Sequence, residues 1–384
     1  MKIIFISNFY NHHQKEFSDE LYRLTEGNYR FFATKKMPQE RKKLGWEISV
    51  PEYVEEVGDK LTAEKQKEVD EADVVLLGGE PYAFVKNRIR QGKLTFLFTE
   101  RLFKRKVDIL RRIKAFVRRS RWKKEGLYML CAGGYVSSDF ESIGCFQNKA
   151  FQWGYFPPLH AVDDVEVLWK NKEAGSLMFC GRLIDWKHPE AVLAVAKRLK
   201  AEGYRFRFEM FGDGELREWL AKKIGEEGLK NHLFLRGVLS FEEVRKKMEK
   251  TQILLIPSDR QEGWGAVLNE GMNAGMAVVA SHEIGATPYL LKEQENGLVF
   301  ESGNVEDLYQ KVKWLLDNPK DCARLGKKAY EKIVKEWNGK EAATRLIALS
   351  KGLTAGKDTP YEEGLCSKAP LIKENWYSAK RRKV

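Results

Sequence analysis

Along the chain, short apolar runs alternate with longer stretches of helical period, and the alternation starts twice. In the first half, Ile3–Ile6, Arg30–Ala33, Val74–Leu77, Leu94–Phe98 and Leu127–Cys131 predict strands, mostly closed by Gly, Ser, Thr or Asn. After the Gly, Pro and aromatic cluster at Trp153–Pro158, where two prolines forbid regular structure, the pattern restarts with Leu177–Cys180 and Phe206–Phe211. Strands that are apolar throughout and separated by helices predict mainly parallel sheets covered on both faces, an α/β architecture. A chain of 384 residues is long enough for two such domains, placed here at residues 1–158 and 159–339. Doubly wound sheets bind ligands at the carboxyl ends of their strands, so the residues that follow each run are the ones to inspect for chemistry.

The densest such place is TQILLIPSDRQEGWGAVLNEGMNAGMAVVAS, Thr251–Ser281. It reads as a strand (Ile253–Ile256), a polar loop broken by Pro257, a small-residue helix (about Ala266–Ala274) and a second strand (Ala277–Ala280). Glu262 and Glu270 frame Gly263, Trp264 and Gly265. The glycines allow backbone N–H groups to approach a ligand, and the helix start favours a phosphate. A carboxylate would be repelled by that phosphate and suits neutral hydroxyls instead. The loop therefore fits a molecule carrying both phosphate and sugar. Upstream, Gly181, Arg182 and Lys187 follow a predicted strand, two cations spaced to grip a diphosphate. GDGEL places Gly212 and Gly214 at a strand-to-helix turn, and Gly237 with Val238 ends a further strand.

The spacing Glu262 to Glu270 within EGWGAVLNEGMNAGMAVVAS resembles the E-x7-E segment of retaining glycosyltransferases of family 4, the group 1 glycosyltransferases, and G-R-x4-K at Gly181–Lys187 resembles their phosphate-binding turn. The resemblance covers roughly Leu177–Phe300, and the turn Gln152–Tyr155 is similar to members that build bacterial surface polysaccharides. It implies a GT-B fold: two Rossmann-like, doubly wound domains facing a central cleft, the last helices, about 340–384, crossing back to the first. It implies metal-independent transfer of a hexose-type sugar from a nucleotide-diphosphate sugar, a UDP-sugar being favoured, to a glycan or lipid-linked acceptor with retention of configuration. No cofactor or metal is implied. Arg182 and Lys187 would stabilise the leaving diphosphate and Glu262 would hold donor-sugar hydroxyls. Glu270 would hold those of the ribose, and Gly181, Gly212, Gly237, Val238, Gly263, Trp264 and Gly265 would line the nucleotide site. In the first domain, His12, His13 and Glu100 are candidate acceptor contacts, although the glycine-rich loop common there in the family is replaced by SNFYNHHQ.

Charge adds one more feature. The net charge is +12, and Arg101–Lys124 alone carries +11, from twelve Lys or Arg against Asp108. Within it Phe103, Val107, Leu110, Ile113 and Val117 recur at helical spacing, predicting an apolar stripe on a basic helix. A solvated helix, a nucleic-acid contact and a surface for anionic lipid compete. The lack of a nucleic-acid-binding motif or interleaved aromatics favours lipid. Five cysteines without C-x-x-C spacing read as reduced, and MKIIFIS reads as a first strand rather than a leader. Together these give a cytoplasmic protein, peripheral on the inner face of the membrane. Two rival readings remain: a sugar epimerase on the same fold, and a non-catalytic nucleotide-binding protein that attaches to membrane or nucleic acid.

Overall fold

The computed structural model describes residues 1–39, 48–79, 82–105, 109–119 and 125–378. Two compact units emerge, Met1–Leu159 with Glu336–Lys373, and His160–Lys335 with the segment from Glu374 onward. Each is built on one parallel sheet.

The first sheet has seven strands, β1 (Ile3–Ser7), β2 (Tyr29–Ala33), β3 (Val54–Glu56), β4 (Val74–Gly78), β5 (Thr95–Thr99), β6 (Leu127–Ala132) and β7 (Ala150–Trp153), in the order β3-β2-β1-β4-β5-β6-β7. The five expected strands are all present. β3 and β7, not anticipated, are short strands at the two edges. The first helix, His12–Leu24, begins with a capping box in which the Asn11 side chain accepts from the backbone of His13 and Gln14 reaches back to the Asn11 N–H. It packs against the late helix Gly339–Thr354. A Cβ at Gly339 would lie 2.6 Å from the Phe17 nitrogen, so the two helices approach backbone to backbone. The outer edge of β7 is covered by Cys366–Ala369 running antiparallel: Cys366 N–H donates to Gln152, Gln152 N–H to Ser367 and Ala369 N–H to Ala150.

The second sheet has six strands, β8 (Glu173–Cys180), β9 (Arg207–Phe211), β10 (Leu233–Gly237), β11 (Thr251–Ile256), β12 (Ala277–Ser281) and β13 (Leu298–Phe300), in the order β10-β9-β8-β11-β12-β13. Its core joins Leu177, Phe179, Phe208, Met210, Ile253 and Val279 to helix residues such as Val192, Leu199, Leu308 and Val312. The chain moves outward from β8 on one side and resumes at β11 on the other, so these adjacent strands flank the point where the winding reverses. Loops after such a strand pair diverge and leave a crevice. Arg182, Lys187, Glu262 and Glu270 lie on the two elements that leave this crevice.

The basic segment is described in part. Its helix runs Ile109–Arg119, while Val107 and residues 120–124 lie outside the described residues, as do Glu80 and Pro81 of the LLGGEPY stretch. Phe103 precedes the helix and is buried in the first core, so it does not belong to the stripe. Ala115 is 8% exposed, whereas Leu110 and Ile113 are 65% and 52% exposed. The apolar stripe thus faces away from the unit that the helix rests on. No helix among the described residues is long and apolar enough to cross a membrane.

Candidate active site

Gly181, Arg182 and Lys187 follow β8 directly, the last within a single 3-10 turn, Asp185–Lys187. Trp186, between the two cations, holds both: the Arg182 guanidinium stands 5.3 Å and the Lys187 ammonium 4.8 Å from its ring centre. This turn is tied to the loop after β11. Asp259 N–H donates to the Trp186 carbonyl at 3.0 Å. His188, in the left-handed region at φ 48°, lies 2.7 Å from Glu190 through Nδ1 and 3.5 Å from Asp259 through Nε2. Hydrogen bonding to Glu190 raises its pKa above the ordinary value, helped by Asp259 and opposed by partial burial. Sequence reasoning missed Trp186, His188 and Asp259. Their lack of any phosphate- or sugar-binding spacing of their own explains it.

From the other side, the β11 loop delivers Glu262 onto Lys187, and the two form an ion pair with side chains 12% and 13% exposed. The helix Ala266–Asn273 then starts at Gly265, whose φ is 87°. A side chain there would be strained, and its Cβ would meet Ile284 Cγ2 at 2.7 Å. The turn is braced internally: buried Trp264 donates from its indole N–H to Asn269 Oδ1 at 2.7 Å, spanning the interval between the two glutamates. One residue past Glu270, Gly271 lies against β11 so closely that a Cβ would meet Leu254 Cδ2 at 2.2 Å. That contact sets how near Glu270 comes to the strand ends. Burial pushes the Glu270 carboxyl up to about 7, against the pull of Arg245 and then Lys187. The neighbouring Cys180 thiol is pushed up to about 12, by burial and then by the Glu270 charge.

The turns after β8, β9 and β10 are sewn together by their backbones. Gly181 N–H donates to Phe211 and Gly212 N–H to the Gly237 carbonyl, at 2.9 and 2.8 Å. At Gly212, with φ 130°, a Cβ would fall 1.9 Å from the Gly181 carbonyl oxygen, so glycine is required there by packing alone. Val238 follows as a 48% exposed apolar residue at the end of β10. The structure therefore assembles Gly181, Arg182, Lys187, Gly212, Gly237, Val238, Glu262, Gly263, Trp264, Gly265 and Glu270 along one edge of the second sheet. Gly263 and Trp264 are buried within the loop.

The first-unit candidates sit at the equivalent edge of the first sheet. His12 is buried and its pKa is pushed down to about 4, so it is neutral at physiological pH, and its ring lies 4.0 Å from that of His13. The cap of that first helix is Asn11. Glu100 accepts from Tyr155 at 3.1 Å and Lys104 at 2.5 Å. Arg101, the first cation of the basic segment, is withdrawn into a buried pair with Asp139 at 3.3 Å.

Residues 163–332 match the family model described as Glycosyl transferases group 1. The second unit matches the group 1 glycosyltransferases. An uncharacterized glycosyltransferase of Methanocaldococcus jannaschii is 30% identical over 43% of this chain and 45% of its own. The poly(ribitol-phosphate) alpha-N-acetylglucosaminyltransferase of Staphylococcus aureus is 24% identical over 44% of this chain and 34% of its own. This chain thus spans less than half the length of either curated relative. Among solved structures, the Anabaena protein HepE in complex with UDP aligns over 92% of this chain and 100% of its own, with a TM-score of 0.67 at 13% identity. It has also been solved with UDP-glucose. At that identity the likeness speaks to architecture: two Rossmann-like units of the GT-B class.

Proposed function

We propose that this protein is a metal-independent, retaining hexosyltransferase of family 4, taking its sugar from a nucleotide-diphosphate donor and passing it to a glycan or lipid-linked acceptor in cell-surface polysaccharide synthesis. The observation that carries this reading is the pairing at the β8/β11 crevice: two cations on one loop, and on the other two carboxylates around a glycine-led helix start. Arg182 and Lys187 supply fixed positive charge where a diphosphate leaves, which lowers the barrier because the charge is already in place when the bond breaks. Glu262 accepts from donor-sugar hydroxyls and Glu270 from the ribose, while the turns at Gly181, Gly212, Gly237 and Val238 border the base. A UDP-sugar is favoured, in keeping with the ligands of the Anabaena protein.

The acceptor belongs to the first unit, Met1–Leu159 with Glu336–Lys373, where His13 and Glu100 lie at the strand-end edge and His12 is a neutral contact beside them. Membrane attachment of a cytoplasmic enzyme is supported by the outward Leu110 and Ile113 on a helix from the most basic stretch of the chain. Each cation near an anionic surface contributes roughly 1 kcal/mol. Flotation with anionic vesicles at low salt, lost with neutral lipid or with Leu110→Glu plus Ile113→Glu, tests this part. Equal recovery on both lipids sinks it.

The donor site is tested by thermal shift across nucleotide diphosphates and their sugars, with and without EDTA, on wild type and Arg182→Ala. Stabilisation by UDP or another nucleotide that survives EDTA and vanishes in the variant is the expected result. No shift with any nucleotide overturns the assignment in favour of a non-catalytic lipid- or nucleic-acid-binding protein.

A further inference from the structure

We infer that the segment Glu374–Tyr377 is a latch that fixes the loop carrying Glu262, making Arg260, His282, Glu374 and Tyr377 positioning residues for donor binding; the functional consequence rests on the donor-site reading above. The latch is anchored at the carboxyl ends of three successive strands. After β11, Arg260 holds the Glu374 carboxylate with both terminal nitrogens, Nη1 to Oε2 at 3.1 Å and Nη2 to Oε1. After β12, His282 Nδ1 accepts from Ser302 N–H at 3.0 Å, so its remaining nitrogen, Nε2, carries the proton and donates to the Glu374 carbonyl at 3.2 Å. Past β13, Tyr377 is 3% exposed and donates from its hydroxyl to Asp307 Oδ2 at 3.3 Å. Trp376 and Tyr377 also flank the His282 ring at 6.5 and 5.9 Å.

Arg260 lies two residues before Glu262 in a tight turn. Asp259 shapes that turn by accepting from Gln261 N–H at 2.8 Å and Glu262 N–H at 3.0 Å, while Arg260 N–H donates to Glu283 at 3.1 Å. The Arg260 side chain is only 13% exposed, whereas Glu374 is 55% exposed. An arginine packed inside the loop is thus held from outside by a residue more than a hundred positions away in sequence. Bidentate pairing fixes the plane of the guanidinium as well as its distance. A reacting group is effective only when held within a fraction of an ångström, and the Arg260–Glu374 pair adds a fixed point two residues before Glu262 to the contacts the loop makes with the β8 turn.

Amide hydrogen exchange over residues 257–265 tests the latch directly. In Glu374→Ala, exchange of that stretch is expected to accelerate about tenfold while the core strands of the second unit keep their protection. The charge reversal Arg260→Glu with Glu374→Arg is expected to restore much of the protection that either single reversal loses. UDP-glucose, measured by calorimetry, is expected to bind about tenfold more weakly to Glu374→Ala, with UDP alone affected less. Unchanged exchange over 257–265 overturns the latch, and so does uniform acceleration across the unit, which marks general destabilisation. If wild type binds neither UDP nor UDP-glucose, the donor-site reading fails and the exchange data still decide the latch.

Discussion

Lys187 and Glu262, which come from loops after two different strands, are ion-paired with each other across the β8/β11 crevice. In the proposed mechanism each is needed by a different part of the donor: the ammonium by the diphosphate and the carboxylate by the sugar. Donor binding therefore exchanges one counter-ion for another, and the carboxylate competes with phosphate for the lysine.

Glu262→Gln follows from that competition. Removing the carboxylate frees Lys187 for phosphate, so UDP is expected to bind several-fold more tightly by calorimetry. Turnover, measured as UDP release, should fall about 100-fold or more, the usual effect of losing a charge-assisted contact in a transition state. Lys187→Met is expected to weaken both. Weaker UDP binding by Glu262→Gln counts against the exchange.

Glu270 predicts a pH profile. Its carboxyl is pushed up to about 7, and only the ionised form offers both oxygens purely as acceptors to a pair of hydroxyls. kcat/KM for the donor is expected to rise between pH 6 and 8 with a midpoint near 7, a limb absent from Glu270→Gln. Folding stability runs the other way. A carboxyl raised in the folded state binds more protons folded than unfolded, so between about 4.5 and 7 stability falls as pH rises. Glu270→Gln should accordingly raise the melting temperature at pH 8 and leave it little changed at pH 5.

His188 predicts the opposite arrangement of charge. Its pKa is raised mainly by the hydrogen bond it donates to the Glu190 carboxylate, so its stabilising contribution is fully present below pH 6.5 and is lost as pH climbs through the folded value. His188→Asn, which tolerates the left-handed backbone, is expected to cost more stability at pH 5.5 than at pH 8.5. Equal losses in melting temperature at both values disprove the clamp between the β8 and β11 loops.

Gly265→Ala and Gly271→Ala separate conformation from space. The first forces a β-carbon onto a backbone at φ 87° and against Ile284; the second leaves the helix unstrained but drives it off Leu254. Each is expected to cost about 1–3 kcal/mol in urea unfolding. Gly271→Ala should in addition weaken UDP binding by moving Glu270. A Gly271→Ala protein with normal stability and affinity refutes the close approach.

Much of this site was legible in sequence because its chemistry is local: Gly181 to Lys187 lies on one turn, and Glu262 to Glu270 on one loop and helix start. The central strands were legible because burial on both faces leaves unbroken apolar runs. β3 was not, since VEE at an exposed edge keeps only Val54 as an apolar signal, and β7 was hidden by the prolines and aromatics that follow it. What no local pattern reveals is long-range hydrogen bonding. The Trp186 carbonyl under Asp259 N–H, His188 against Asp259 and Glu374 on Arg260 each have a partner far away in the chain. Buried Lys172 is the extreme case, donating to the carbonyls of Met248, Glu249, Thr251 and Ala274, although lysine ordinarily signals surface. The basic stripe was half legible: its helix is real, but Phe103 turns inward and Arg101 spends its charge on Asp139.

The first sheet is finished by residues some two hundred positions further along the chain, where Ser367 meets Gln152 with 215 positions between them. Until Cys366–Ala369 and the helix Gly339–Thr354 leave the ribosome, β7 has an open edge and the helix His12–Leu24 lacks its neighbour. At roughly 5–20 residues per second, that exposure lasts on the order of tens of seconds, while His160–Lys335 of the second unit is translated. An unpaired parallel edge is a template for intermolecular pairing, so the amino-terminal half must rely on chaperone cover or slow collapse for that interval. Chains halted before Cys366 would be exposed to aggregation even though Arg182, Lys187, Glu262 and Glu270 had already been made.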